Sequence, residues 1–184
     1  MSTLTKKIKI TGVGIHSGLP VNMVVKPSKK YGIFFHRSDI PDSPQIQALA
    51  ENVGETKMRN TTIGCTAGAH VQTVEHLMAA LFLAGIDSAV IDIDGPETPI
   101  LDGSAAEFLS KFMGNTTGKG GMKKIIVRRP VIVYARDVLR SLPWHVRLQL
   151  WVINKIAGRK SDGYVKLSPN DGKSLEITAT LVYS

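Results

Sequence analysis

Glu75 and His76 stand side by side in the run Thr73-Val74-Glu75-His76-Leu77, where a helix is expected to begin. In a metal hydrolase an imidazole binds the metal, and a nearby carboxylate takes a proton from the metal-bound water. Consecutive residues in a helix's first turn point about 100° apart, so both side chains can face one cavity and make different contacts there. A catalytic zinc needs about three protein ligands plus water. The usual spaced companions are absent: there is no His-Glu-x-x-His and no Cys-x-x-Cys, and His70 precedes the helix. On spacing alone the pair reads first as an ordinary helix start, and only second as a metal site.

Two other constellations could do chemistry. Gly14-Ile15-His16-Ser17-Gly18 places a histidine in a glycine-rich turn, where it could donate to a phosphate or a sugar. No Gly-Lys-Ser/Thr follows and no helix opens after it, so it is not a phosphate-binding loop. Three glycines in seven residues imply tight backbone or the close approach of a ligand. The run from Gly95 to Ala105 carries two prolines, Pro96 and Pro99, that stiffen the backbone. Asp102 and Ser104 follow, where they can satisfy the free N–H groups of the next helix. That run is expected to be a rigid turn and helix cap rather than a substrate contact. Cys65 has no motif around it that would make it a nucleophile and reads as a structural or surface thiol.

These residues need elements to hold them. Lys7-Ile8-Lys9-Ile10 alternates as an edge strand does. Val21–Val25 and Gly32–His36 look like a strand pair joined across Pro27–Tyr31. Thr73 can cap a helix running to about Leu83, with Gly85 placed to end it. Ala89–Ile93 is a strand, and Ser104–Phe112 a second helix. Asn115–Gly121 has three glycines and no apolar residue, so it reads as a linker. The expected division is a first domain over 1–115, a linker over 116–122 and a second part over 123–184. In that part Ile125–Tyr134, Trp144–Val152, Tyr164–Leu167 and Leu175–Tyr183 all read as strands, with Trp144, Val146, Leu148, Leu150 and Val152 alternating. The fold class expected is α+β: a two-layer sheet-plus-helices domain, then an incomplete, mostly β one.

Composition sets outer bounds. The 184 residues are 43% hydrophobic, enough to fill a real core. No run of 18 apolar residues predicts a spanning helix. The first residues lack the apolar core of a secretory signal, and one cysteine suits a reducing compartment, so a cytoplasmic location is expected. Net charge is +8, and all of the excess lies after residue 122: residues 1–122 hold 11 Lys/Arg and 11 Asp/Glu, residues 123–184 hold 12 and 4. Such a basic face could meet an anionic partner, or could be a solvated surface or part of an incomplete domain. No RNA-binding signature accompanies it, so nucleic acid is not the expected partner.

Taken in order, Thr11–Gly18, Thr73–Ala80, Gly85-Ile86-Asp87 and Gly95–Ala105 resemble the zinc-dependent UDP-3-O-acyl-N-acetylglucosamine deacetylases of Gram-negative lipid A biosynthesis. The resemblance is good over about residues 4–115 and weak at 123–137 and 163–183. Residues 138–161 have no evident counterpart. It implies a hydrolase, monomeric as a family, that acts on a UDP-acyl-sugar from a site between two related α+β domains. His76 would be one Zn²⁺ ligand and Glu75 the general base on the zinc-bound water. His16, Thr61 and Thr62 would lie on the substrate side. Met58–Ile63 would line the site, with Asn60 where a cysteine is common.

The resemblance also implies a His-x-x-x-Asp element and a later acid-side histidine in the second domain. Neither is present in this chain: His145 is followed four residues on by Gln149. The second domain is expected to be truncated or divergent. The chain alone is expected to be an incomplete deacetylase, or else an inactive fragment or pseudo-enzyme with a binding role.

Overall fold

The computed structural model describes residues 1–54, 60–64, 68–117, 128–134, 140, 144–156 and 164–169. The chain divides into two units, Met1–Lys123 and Lys124–Ser184. The first runs β1 (Thr3–Leu4), β2 (Ile8–Val13), β3 (Pro20–Pro27), β4 (Gly32–Arg37), β5 (Ile46–Gln47), β6 (Ile63–Gly64), β7 (His70–Val71), α1 (Glu75–Leu83), β8 (Ser88–Ile93), α2 (Ala106–Phe112) and β9 (Thr116–Thr117). The fold is α+β, as the sequence implied.

The main sheet has the order β2-β3-β8-β4-β5. β8 separates β3 from β4, so the strand pair expected across Pro27–Tyr31 does not form. β8 is antiparallel to β3 and parallel to β4, and a parallel pair requires a crossover, which the chain makes through α1. The reason lies in β8 itself. Ala89, Ile91 and Ile93 are fully buried on one face, and Val90 is half-buried on the other, so the strand suits the centre of the sheet.

One register row crosses all five strands: Ile8, Val25, Ile91, Phe35 and Ile46. All five are buried. Leu77, Ala80 and Leu81 of α1 and Phe108 and Phe112 of α2 join the same core, so the two helices form the second layer. The other sheet face carries charge, with Lys26 and His36 both paired to Asp92.

Helix α1 ends as Gly85 predicts. Gly85 has φ of 71°; its N–H donates to Phe82 O, and the Ile86 N–H donates to Leu81 O. This is a Schellman ending, with buried Ile86 and Leu81 supplying its apolar contact. A Gly85→Ala variant puts a Cβ on a left-handed residue and should cost about 1–2 kcal/mol. A chemical-denaturation midpoint unchanged from wild type would refute that.

Three expectations are corrected. Thr73 does not cap α1: the cap is Val74, without a side-chain bond, and Thr73 has its own φ of 57° and a different partner. Thr116 and Thr117, expected to open the linker, form β9 against β1. Trp144–Val152 is not a strand but part of α3 (Trp144–Ile156). Trp151 and Ile153 interrupt the alternation there, and Trp144, Leu148, Trp151 and Val152 fit helical spacing equally well. The second unit also holds a two-stranded antiparallel sheet, β10 (Val131–Tyr134) with β11 (Tyr164–Leu167). Met58, Cys65, residues 118–122 and the strand expected over Leu175–Tyr183 lie outside the described residues.

Candidate functional site

Helix α1 opens directly on Glu75 and His76, both half-buried. A carboxylate in the first turn meets the positive end of the helix dipole. Glu75 Oε2 also accepts a hydrogen bond from the Thr61 backbone N–H at 3.0 Å. The Val74 N–H in turn donates to Thr61 O. Thr61 is therefore held against the helix start by its backbone, on both sides of the Val74–Glu75 peptide.

The approach to the helix is strained. Thr73 is β-branched and left-handed, a conformation that costs of order 1–3 kcal/mol and persists only where its surroundings enforce it. They do so here. Thr98 Oγ1 donates to Thr73 O. Gln72 N–H donates to Pro96 O, and Thr98 N–H to Gln72 O. Thr73 Oγ1 donates to Glu97 Oε1 at 2.8 Å. The stiff turn at Pro96–Pro99 thus fixes the backbone from which Glu75 and His76 emerge.

Glu97 is the residue that sequence reasoning missed. It is 1% exposed. Besides Thr73, its carboxylate accepts the backbone N–H of Ser17 at 2.8 Å and that of His16 at 3.1 Å. Burial pushes its carboxyl up, but the Ser17, Thr73 and His16 hydrogen bonds outweigh that and hold it below the ordinary value of 4.5. A Cβ on Gly14 would stand 2.3 Å from Glu97 Oε2. The close approach that the glycines of this turn imply is therefore to a carboxylate of the protein itself. The signal was present in the sequence as an acidic residue between two turn prolines.

The network continues. Asn60 Nδ2 donates to Thr73 Oγ1 at 3.4 Å, and Thr62 Oγ1 donates to Asn60 Oδ1 at 3.3 Å. One chain of bonds thus runs from Thr62 through Asn60, Thr73 and Glu97 to the His16 turn. It brings His16, Thr61, Thr62, Glu75 and His76 into one region, with the imidazole of His16 exposed. Asn60 fills its place as a hydrogen-bonding bridge.

Ser104 satisfies the first N–H of α2 as expected, whereas Asp102 reaches only Ser104, before the helix. Ser104 Oγ accepts the Ala106 N–H at 3.0 Å, and Asp102 Oδ1 accepts the Ser104 N–H. The Ser104 amide and hydroxyl hold the Asp102 carboxyl below its usual range, with a smaller contribution from His76. Among the described residues no group of three or more His, Cys, Asp or Glu side chains could hold a metal ion. His76 supplies one of the roughly three donors a catalytic zinc requires, so the described residues do not by themselves fit a complete zinc site.

Fold and site together describe a two-layer α+β domain that presents a carboxylate and an imidazole side by side from one helix start. The chain belongs to the LpxC family, UDP-3-O-acyl N-acetylglycosamine deacetylase, whose family model matches residues 1–152. The match continues through residues 138–152, where no counterpart was evident in the sequence. The chain is 44% identical to the UDP-3-O-acyl-N-acetylglucosamine deacetylase of Geotalea uraniireducens over 138 residues, which is 73% of this chain and 44% of that protein. It is 42% identical to the enzyme of that name from Myxococcus xanthus over 143 residues, 76% of this chain and 45% of that protein. The chain thus spans less than half the length of these relatives.

Proposed function

We propose that this chain carries the Glu75 and His76 half of a deacetylase site for a UDP-3-O-acyl-N-acetylglucosamine. The observation that carries the reading is the fixed helix start. A strained, fully bonded Thr73 aims two adjacent reactive side chains from a rigid frame, and rigid placement is what catalytic groups require. In this reading Glu75 is the general base that takes a proton from the attacking water. His76 is one Zn²⁺ ligand. The Thr61 amide orients the Glu75 carboxylate, and the exposed His16 meets the polar, UDP-bearing side of the substrate.

With one imidazole donor at the site among the described residues, the chain alone binds zinc weakly and turns over little substrate. Isothermal titration of the purified chain with zinc should give a dissociation constant in the micromolar range or weaker, because a single imidazole gives little of the free energy of a closed site. Acetate release from the UDP-acyl-sugar should stay near background. Tight one-to-one zinc binding together with turnover would overturn the incomplete reading and restore a self-sufficient enzyme.

A further inference from the structure

Helix α3 carries an apolar stripe that the described residues of its own unit leave uncovered. Trp144, Leu148 and Trp151 are 75%, 52% and 57% exposed, and Val152 and Ile156 continue the stripe. At 100° per residue these five fall within one arc of about 140°. Val146 and Leu150, on the other side of the helix, are half-buried. The surrounding charge is of one sign. Between Asp137 and Asp162 the chain has five Lys/Arg and no acidic residue.

We propose that α3 docks on an anionic lipid surface, lying flat with the Trp144–Leu148–Trp151 stripe in the headgroup and acyl boundary. The helix has 13 residues and is about 20 Å long, too short to cross a bilayer, and no helix among the described residues is long and apolar enough to do so. Tryptophan belongs at such a boundary because its ring is apolar and its N–H polar. Lys155 decides between a lipid and a protein occupant. It lies in the middle of the stripe by helical position, with Nζ 4.7 Å from the centroid of the Trp151 ring. A protein laid over the stripe would bury that ammonium and would need to supply a carboxylate for it. At a lipid surface the side chain extends outward and its charge meets phosphate. Arg147, exposed beside the stripe, adds a second cation. This inference is independent of the deacetylase reading, and its failure would leave that reading untouched.

The chain has two tryptophans, and both lie on this helix, so tryptophan emission, excited where tyrosine does not absorb, reports on α3 alone. Adding vesicles of phosphatidylcholine and phosphatidylglycerol in equal parts should shift the emission to the blue. Vesicles of phosphatidylcholine alone should give a much weaker response, and high salt should reduce the anionic response. The double variant Arg147→Gln, Lys155→Gln keeps both tryptophans and should partition roughly thirtyfold more weakly, with its far-ultraviolet circular dichroism unchanged. Four outcomes would overturn the proposal: no shift with anionic vesicles; equal partition into neutral and anionic vesicles; a blue emission already present without lipid that depends on protein concentration, which assigns the stripe to a second copy; or quenching by generic RNA without any response to vesicles.

Discussion

Replacing Glu97 by alanine is expected to lower the unfolding free energy by roughly 3–5 kcal/mol. Hydrogen bonds to a charged group contribute about 1.5–3 kcal/mol each, and donors left buried without a partner add their own penalty. Glu97 accepts three such bonds, from Ser17 N, His16 N and Thr73 Oγ1. The turn around His16 is partly exposed and can rehydrate, which keeps the total below the simple sum. Thr73 is buried, and its left-handed backbone would lose one of the bonds that hold it. The damage should therefore spread to the start of α1. Thermal and urea unfolding of the variant would measure it, and a loss under about 1 kcal/mol would show that the turn holds itself.

The same carboxylate makes stability depend on pH with a definite sign. Its folded pKa lies below the ordinary 4.5, so the folded state favours the charged form. That contribution is complete above pH 4.5 and is lost as the pH falls through the lower folded value. Glu97→Gln cannot ionise and should lose this part of the acid slope. The variant should therefore be less stable than the parent at neutral pH and should approach it as acid protonates the parent's carboxyl. Parallel acid titrations of the two proteins would settle the point: equal slopes would mean that folding does not lower the Glu97 pKa.

Much of this domain was legible in its residues because local chemistry and tertiary packing agree there. Gly85 ends α1 as its position foretold, and Ala89–Ile93 is a strand. Ser104 caps α2 through the Ala106 N–H. Most of the failures share a cause: they concern partners far apart in the sequence. Nothing near Val21 or Gly32 shows that β8, more than fifty residues on, will sit between their strands. Thr73 has the right type for a cap, yet its hydroxyl goes to Glu97, which arrives from another loop. The glycine turn announced a close approach without naming what approaches. At Trp144–Val152 the apolar residues fit a strand's alternation and a helix's spacing alike, so the period could not discriminate. The Glu75 and His76 pair was visible from the start. What positions it, a buried carboxylate stapling two loops, was not.

The pair's own role has its largest expected effect in a completed enzyme. The test is a chimera in which residues 1–115 take the place of the matching segment of the Geotalea uraniireducens deacetylase, with which this chain shares 44% identity over 138 residues. If Glu75 is the base, Glu75→Gln in that chimera should lower kcat by about 10²–10⁴-fold, the usual contribution of general acid–base catalysis. KM should change little, because a base acts on the transition state more than on the bound ground state. His76→Ala should act differently and weaken zinc retention along with activity. The two variants therefore separate two roles that adjacency alone cannot distinguish. A Glu75→Gln chimera with undiminished kcat would remove the base assignment. A His76→Ala chimera that still retains zinc as tightly would remove the ligand assignment. In either case the network around Glu97 would remain as the reason that this helix start has so rigid a form.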